Sequence, residues 1–313
     1  MRTIKGFLAT VLCLFAILAG GIYQAAAQES VTITHKLGTV TLKDIPKRVV
    51  IMDYGMLNSL DELIASGAVQ KDLKFALPKQ GLPDYMSKYK GDEYVDIGGL
   101  KDFNLETIYG FKPDLIIISG RQQDFYKDLS SIAPVWFVDS YPTDYMPGVT
   151  QNNRNLGKIF KAEAAVETAL QGISSEIKVV HDLATAKNMA ALVLLTNDGK
   201  ISVYGSGSRF GIIYDVLGLK QADPNITTSL HGQVVNYEYI AEKNPDIIFV
   251  VDRSVAVSGK TDGLRILNNE LVNGTNAAKN GKIIALDPGT WYLSSGGLQS
   301  LKMMVAEVKK AVE

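Results

Sequence analysis

Two stretches of the chain share one pattern of apolar and polar residues. Each begins with a mostly apolar run, 49–52 in the first and 201–204 in the second. A short polar turn follows, and then apolar residues recur at helical spacing up to a glycine, Gly67 or Gly218. This order is typical of a strand followed by an amphipathic helix. The pattern therefore predicts one strand–turn–helix unit in each half of the chain.

A second repeat is tighter, because two spacings agree at once. In each copy a Glu precedes a Pro by seven positions and an Arg follows that Pro by eight: Glu106, Pro113 and Arg121, then Glu238, Pro245 and Arg253. Pro ends a helix and favours extended backbone. The branched apolar runs that follow, 115–118 and 247–251, suit parallel strands buried on both faces. Each Arg then lies just past the carboxyl end of a strand, where open α/β sheets bind ligands.

The stretch between the two copies predicts a connecting helix. Over 152–186 apolar residues recur at helical spacing, with no Pro and only Gly157 and Gly172 as glycines. We read this stretch as mostly one long helix. The predicted fold is α/β: two Rossmann-like lobes with mainly parallel sheets, 28–151 and 187–313, joined by that helix and facing each other across a ligand cleft. A stiff connector predicts little hinge motion.

The first 27 residues differ from the rest of the chain. Two basic residues precede an apolar run over 7–23, and three alanines follow at 25–27. Basic, apolar and small-residue segments in this order are typical of a secretory signal. The sequence therefore predicts a cleaved signal peptide over 1–27 and a periplasmic mature chain that begins near Gln28.

Charge and cysteine content exclude several classes of protein. The chain carries 32 basic and 33 acidic side chains, and without Arg2 and Lys5 of the predicted signal 30 and 33 remain, a net charge of about −3. No polybasic run is left, which argues against nucleic acid as a partner. Cys13 is the single cysteine and lies in the predicted signal. The mature chain would therefore have no disulfide, catalytic thiol or zinc–thiolate site.

Three arginines are candidates for ligand binding. Arg121 and Arg253 follow predicted strands, and Arg209 lies in the glycine-rich turn after 201–204. Guanidinium groups stay charged, donate in a planar fork and stack on aromatic faces, so a cluster of three suits an anionic, aromatic, oxygen-rich ligand. At about 6 Å and an effective dielectric near 20, each charge pair contributes about 3 kcal/mol before desolvation. Surface exposure or a salt bridge between lobes is the alternative interpretation of each Arg.

His231 and Tyr292 are candidates for iron binding. His231 lies in a polar turn shortly before Glu238, and Tyr292 follows the apolar run 283–286. Imidazole and phenolate both bind iron, and Fe(III) favours phenolate oxygen. Together they would fill the two coordination positions that a four-oxygen bis-catecholate leaves open. A structural loop histidine and a packed aromatic ring are the alternatives.

The chain resembles a known family in two segments. Residues 103–119 read F-N-L-E-T-I-Y-G-F-K-P-D-L-I-I-I-S, and residues 235–251 read V-N-Y-E-Y-I-A-E-K-N-P-D-I-I-F-V-V. Both are similar to the helix-linked class, class III, of periplasmic substrate-binding proteins that serve siderophore, haem and cobalamin importers. The resemblance covers residues 41–312.

Within that family the resemblance extends to the catecholate-siderophore group. There, three Arg hold the catecholates, and a His and a Tyr on loops of the second lobe complete the coordination of the iron. The resemblance assigns these roles to residues of the matching segments: Arg121, Arg209, Arg253, His231 and Tyr292. It implies a ferric siderophore as the transported ligand and no intrinsic cofactor.

The paired glutamates suggest a protein partner. Glu106 and Glu238 lie near predicted helix starts, where a carboxylate also interacts favourably with the helix dipole. In the family that this chain resembles, these positions project from the lobes and bind arginines of a permease dimer. We expect a monomer that docks on an ABC importer in the inner membrane.

Other functions remain as alternatives. On the same scaffold, the ligand would be haem, cobalamin or a hydroxamate siderophore, although a neutral ligand would not need three Arg. A manganese or zinc binder would need several converging His and carboxylates, and the sequence has three His in all. An enzyme is the alternative of a different class. The chain has no G-x-S-x-G, no phosphate loop and no H-E-x-x-H, so we predict no catalytic activity.

Overall fold

The computed structural model describes residues 30–141, 144–229, 231–259 and 263–313. The predicted signal segment, 1–27, lies outside the described residues. Among the helices of the described part, none is both long enough and apolar enough to span a membrane.

The first lobe is built on a parallel sheet. Its elements are β1 (Val31–His35), β2 (Gly38–Leu42), β3 (Arg48–Ile51), α1 (Tyr54–Ala65), β4 (Lys74–Leu77), a 3₁₀ helix (Asp84–Lys90), β5 (Val95–Asp96), α2 (Leu105–Phe111), β6 (Leu115–Ile118), a second 3₁₀ helix (Gly120–Phe125), α3 (Tyr126–Ser130) and β7 (Val135–Phe137). The sheet order is β5-β4-β3-β6-β7, with every neighbouring pair parallel. β1 and β2 form a separate antiparallel hairpin. All side chains of β6 are buried, as expected for a central parallel strand.

The prediction of mostly one helix over 152–186 holds for 163–186, but residues 152–160 belong to a preceding helix. α4 (Tyr145–Phe160) ends where Lys161 takes a left-handed backbone, with φ 56° and ψ 41°. α5 (Glu163–Lys187) then runs for 25 residues. A Cβ at Gly157 would lie 3.0 Å from Val166 Cγ2. Because glycine lacks that atom, α5 can fold closely against α4.

The second lobe is built on a mixed sheet. Its elements are β8 (Ala190–Asn197), β9 (Lys200–Tyr204), α6 (Ile212–Asp215), β10 (Lys220–Gln221), β11 (Gln233–Val235), α7 (Tyr237–Lys243), β12 (Ile247–Asp252), α8 (Arg253–Ser258), α9 (Gly263–Ile266), α10 (Glu270–Asn273), α11 (Asn276–Lys279), β13 (Ile283–Leu286), a π-helical segment (Gly289–Leu293) and α12 (Leu298–Val312). The order is β11-β9-β8-β12-β13, and β10 pairs with the start of β8. β12 is parallel to β8 and β13, whereas β9 is antiparallel to β8 and β11.

The two predicted strand–turn–helix units are not equivalent. The first forms as predicted, with β3 leading into the 12-residue α1. In the second, β9 forms but returns antiparallel to β8, and the helix that follows is the four-residue α6. Asp198 and Gly199, which join β8 to β9, both have positive φ, 47° and 81°. A two-residue turn of this kind closes an antiparallel hairpin.

The tighter repeat forms the same local structure in both lobes. Asn104 and Asn236 cap α2 and α7, each accepting a hydrogen bond at 2.9 Å from the backbone N–H three residues further on. Each helix ends at a residue with left-handed backbone, Lys112 or Asn244. The repeated sequence therefore encodes the start, the end and the length of the helix that precedes each central strand.

A repeated aspartate fixes the strand that follows. Asp114 Oδ2 accepts hydrogen bonds from the backbone N–H groups of Lys47 and Arg48 at 2.8 and 2.9 Å. Asp246 Oδ2 accepts the N–H of Ala190 at 2.9 Å. Because Arg48 begins β3 and Ala190 begins β8, these contacts identify β8, and not β9, as the counterpart of β3.

Candidate functional site

A cleft opens between the lobes at the carboxyl ends of their central strands. Its cavity measures about 300 Å³. The first lobe lines it with the loops at 80–81 and 99–102 and with Arg121, and the second lobe with Arg253 and Tyr292. This is where the sequence predicted a ligand, because parallel strands end at a common edge of their sheet.

Local contacts fix the two arginines of the sequence repeat. Arg121 lies in the 3₁₀ helix after β6, where the buried Gln122 side chain accepts the N–H of Ser119 at 3.1 Å and donates to the carbonyl of Leu100 at 2.6 Å. Arg253 is the first residue of α8, which Asp252 caps by accepting the N–H of Ser254 at 2.9 Å. Each guanidinium therefore extends into the cleft from a fixed backbone.

Tyr292 lies in the π-helical segment that follows β13. Its neighbour Trp291 is fully buried, and the indole Nε1 donates to Glu307 Oε2 on α12 at 2.8 Å. Short π-helical segments are frequent at functional sites. Here the segment leaves the Tyr292 carbonyl and phenol free to accept hydrogen bonds from side chains of both lobes.

The three predicted arginines converge on Tyr292. Arg121 Nη2 and Arg209 Nη2 each donate to the Tyr292 carbonyl oxygen at 3.1 Å. Arg253 Nε donates to the Tyr292 phenol oxygen at 2.8 Å, and Arg253 Nη1 donates to Asn197 Oδ1 at 2.7 Å. The guanidinium carbons of Arg209, Arg253 and Arg121 lie 4.2, 5.7 and 5.8 Å from the centre of the Tyr292 ring. Three positive charges thus surround one phenol.

This surrounding charge changes the acidity of Tyr292. Burial alone would raise the pKa of the phenol. The hydrogen bond from Arg253 and the positive charges of Arg209, Arg253 and Arg121 outweigh burial and hold the pKa of Tyr292 below its ordinary value. The phenol of Tyr292 therefore loses its proton more readily than an ordinary tyrosine, and the phenolate is the form that binds Fe(III).

The sequence model of the periplasmic binding protein family matches residues 49–290. The chain belongs to this family. The resemblance drawn from the sequence and the predicted fold class are thereby confirmed.

Relatives of known name and structure match over most of the chain. The petrobactin-binding protein YclQ of Bacillus subtilis is 43% identical over 91% of this chain and 89% of its own length. Its crystal structure aligns with a TM-score of 0.87 at 42% identity, covering 91% of this chain and 99% of that chain.

Two further solved structures are similar. VctP, a periplasmic catecholate-siderophore binding protein of Vibrio cholerae, aligns with a TM-score of 0.82 at 36% identity, covering 90% of this chain and 100% of its own. PiuA, an iron uptake ABC transporter substrate-binding protein of Streptococcus pneumoniae, aligns with a TM-score of 0.81 at 33% identity, covering 90% and 98%.

His231 makes no contact with the arginine cluster of this periplasmic binding protein among the hydrogen bonds and ring contacts of the described residues. It is exposed, in the turn before β11. A Cβ at the adjacent Gly232 would lie 2.6 Å from Tyr204 Cε2, so this turn packs against the Tyr204 ring. That ring packs edge-on against Phe210 at 4.9 Å, beside Arg209. Within the described residues no hydrogen bond joins His231 to Tyr292 or to the arginines, so its role as an iron ligand stays a prediction.

Glu106 and Glu238 occupy equivalent positions in the two lobes. Each is the second residue of its helix, α2 or α7, and each is exposed. In the part of the chain that the structure describes, neither carboxylate forms an ion pair. Both carboxylates are thus available to a partner.

Sequence reasoning missed Tyr141. Its phenol oxygen accepts a hydrogen bond from Arg209 Nη2 at 2.6 Å and donates to the Tyr292 carbonyl at 3.1 Å. The signal was present, because Tyr141 follows β7 as Arg121 follows β6. A lone tyrosine in a polar loop, however, has no charge or spacing in the sequence that distinguishes it from a surface residue.

Proposed function

We propose that this protein binds a ferric siderophore of the catecholate type and delivers it to an ABC importer for iron uptake. The observation that carries the proposal is the convergence of Arg121, Arg209 and Arg253 on one phenol in the cleft. The names of YclQ, VctP and PiuA, which refer to petrobactin, catecholate siderophores and iron uptake, support it.

Charge balance supports the catecholate type. A ferric tris-catecholate carries three negative charges, and three guanidinium groups drawn from both lobes surround Tyr292. Two of them, Arg121 and Arg253, line the cavity together with Tyr292. Arg forks suit the oxygens of catecholates, and their flat faces stack on the rings. A neutral ligand would leave three partly buried positive charges without a counter-charge, which is costly.

Iron itself is the cargo, and Tyr292 would bind it directly. A chelate with four catecholate oxygens leaves two coordination positions open. The Arg253 hydrogen bond and the three arginine charges lower the pKa of Tyr292 despite burial, so that iron can displace the phenol proton more easily and the phenolate can fill one of them. His231, on a turn in the same lobe, would reach the other when the ligand binds.

Glu106 and Glu238 would guide the loaded protein to its transporter. Two unpaired carboxylates, one on each lobe, fit a permease dimer that presents one basic site per subunit. Charges at the rim of an interface mainly set orientation and association rate. We further propose that the protein acts as a monomer without catalytic activity, in the periplasm, after removal of residues 1–27.

Tryptophan fluorescence tests the proposed function. Trp291 is buried next to Tyr292 and should be quenched when an iron complex enters the cleft. Titration with ferric bis- and tris-catecholates should give saturable quenching at micromolar or lower concentration, and a neutral ferric hydroxamate of similar size should give much less. If none of the ferric catecholates quenches at micromolar concentration, the proposed function is wrong.

A further inference from the structure

Tyr141 is held at the edge of the first lobe by the loop that carries it. The adjacent Ser140 Oγ donates to Asp53 Oδ2 at 2.7 Å. Asp53 is buried and caps α1 by accepting the N–H of Met56 at 2.9 Å. The loop after β7 is therefore tied to the start of α1, at the carboxyl ends of the parallel strands.

From this loop Tyr141 crosses to the second lobe. It donates to the Tyr292 carbonyl at 3.1 Å and accepts from Arg209 Nη2 at 2.6 Å. The Arg209 guanidinium lies between two phenol rings, with its central carbon 4.4 Å from the Tyr141 centroid and 4.2 Å from the Tyr292 centroid. Of these two rings, Tyr141 belongs to the first lobe and Tyr292 to the second.

The two rings restrict the side-chain conformations of Arg209 before a ligand binds, so that less conformational entropy is lost on binding. A long side chain that becomes ordered only when a ligand arrives weakens binding by the rotamer entropy it gives up. Arg209 is already fixed, and its Nε is buried with no hydrogen-bond partner among the described residues. The guanidinium is thus held in place before any ligand arrives.

We propose that Tyr141 is a positioning residue, which holds the Arg209 guanidinium from across the cleft in the orientation that binds an anionic chelate. The proposal rests on the proposed function for the nature of the ligand. It goes beyond that function in naming a residue of the first lobe that controls an arginine of the second.

Two variants separate the hydroxyl from the ring. Tyr141→Phe keeps the ring and removes both hydrogen bonds, so the Kd for a ferric tris-catecholate should rise about fivefold. Tyr141→Leu also removes the ring and should raise it about fiftyfold. Unchanged thermal unfolding of the Phe variant controls for folding. Wild-type affinity in both variants would overturn the proposal.

A double-mutant cycle with Arg209→Gln distinguishes positioning from an independent contact. Once Arg209 is absent, Tyr141→Phe should change the Kd by less than about twofold, because the group it positions has gone. If Tyr141→Phe costs the same factor with and without Arg209, Tyr141 acts on its own and the proposal is wrong.

A measurement without ligand keeps this inference separate from the proposed function. In protein with isotopically labelled arginine, NMR should show ring-current shifts and slow rotation for the Arg209 guanidinium, and Tyr141→Leu should abolish both. A wild-type protein that binds no ferric chelate would remove the proposed function, and the NMR result would still decide whether Tyr141 holds Arg209. An unchanged Arg209 signal in Tyr141→Leu contradicts the proposal.

Discussion

The two lobes share one framework and differ in what they add to it. Both place a capped helix, an aspartate that ties two strands together and a cleft arginine in the same order: α2, Asp114 and Arg121 in the first lobe, and α7, Asp246 and Arg253 in the second. The second lobe adds the antiparallel hairpin β8–β9 and the π-helical segment after β13. The shared framework supplies a symmetric pair of cations.

The segments that only the second lobe has lie next to side chains without a counterpart in the first lobe. Arg209 lies in the loop after β9, His231 in the turn before β11, and Tyr292 in the π-helical segment. From the first lobe, Tyr141 on the loop after β7 forms hydrogen bonds with Arg209 and Tyr292. The repeat therefore places one cleft arginine in each lobe, whereas the candidate iron ligands arise where the second lobe departs from the repeat.

The paired glutamates should give the largest effect, on transport and not on binding. Glu106→Ala with Glu238→Ala should reduce uptake through the importer about a hundredfold at limiting protein concentration, because both docking charges are lost. Each single variant should lose about tenfold. Uptake into vesicles that carry the importer measures this.

Chelate affinity is the control for the glutamate variants, and it should stay at the wild-type value. Uptake by the double variant at the wild-type rate would mean that the lobes do not dock through these residues.

The two arginines of the repeat should not be equivalent in binding. Arg253→Gln should weaken ferric tris-catecholate binding about fiftyfold, because it removes a charge and also the hydrogen bond to the Tyr292 phenol. Arg121→Gln should cost about tenfold, since the Tyr292 carbonyl keeps its bonds from Arg209 and Tyr141. Fluorescence titration gives both values.

Arg154→Gln is the matched control, because Arg154 is paired with Glu167 on the surface. It removes the same charge and should leave the affinity unchanged. A loss comparable to that of Arg253→Gln would show that net charge, and not the cleft cluster, governs binding.

The candidate iron ligands should distinguish two kinds of chelate. Tyr292→Phe and His231→Ala should each weaken a four-oxygen bis-catecholate complex about tenfold and a six-oxygen complex less than about twofold, because the latter has no open position on iron. Titrations with both complexes measure the difference. Equal losses for the two complexes would mean that neither side chain binds iron.

The acidity of Tyr292 gives a pH test. The Arg253 hydrogen bond and the arginine charges lower its pKa despite burial, whereas burial raises the pKa of Tyr85 to about 12. Tyrosine ionisation can be followed by ultraviolet absorbance. Compared with the wild type, Tyr292→Phe should lack one phenol that ionises at lower pH than an ordinary tyrosine, and Arg253→Gln should move the ionisation of Tyr292 to higher pH. Affinity for the four-oxygen complex should rise with pH towards this pKa, because iron displaces the phenol proton.

The same shift contributes to stability with a definite sign. Because the pKa of Tyr292 is lower in the folded than in the unfolded chain, the contribution is full above the unfolded pKa. It disappears as pH falls through the lowered folded value. A stability profile of Tyr292→Phe that runs parallel to that of the wild type over this alkaline range would contradict the lowered pKa.

The repeated aspartates should give the smallest effect. Asp114→Asn and Asp246→Asn should each lower the free energy of unfolding by about 1 kcal/mol, since each weakens a hydrogen bond from the start of a central strand. Chemical denaturation measures this, with chelate affinity unchanged. A much larger loss in one lobe would show that the framework is not shared.

Much of the framework could be predicted because its signals are local. The caps at Asn104 and Asn236 and the Pro-Asp pairs before β6 and β12 lie beside the elements they define. The positions of Arg121 and Arg253 follow from those strands. The Asp198-Gly199 turn is also a local signal, because it predicts an antiparallel hairpin. A hairpin at this point indicates that β9 is not the counterpart of β3.

The remaining features depend on contacts between distant parts of the chain. Lys161 takes a left-handed backbone without being Gly or Asn, the residues that favour it, so the break between α4 and α5 has no strong local cause. Tyr141 matters through Arg209 and Tyr292, which lie far along the sequence in the other lobe. Only the packing of the two lobes brings such residues together.

A crystal structure with a ferric bis-catecholate would test the central claim most directly. The account predicts iron in the cleft, bonded to the Tyr292 phenol oxygen, with Arg121, Arg209 and Arg253 donating to the catecholate oxygens. A chelate bound elsewhere, or in the cleft with the iron away from Tyr292 and the three arginines directed to other groups, would contradict it.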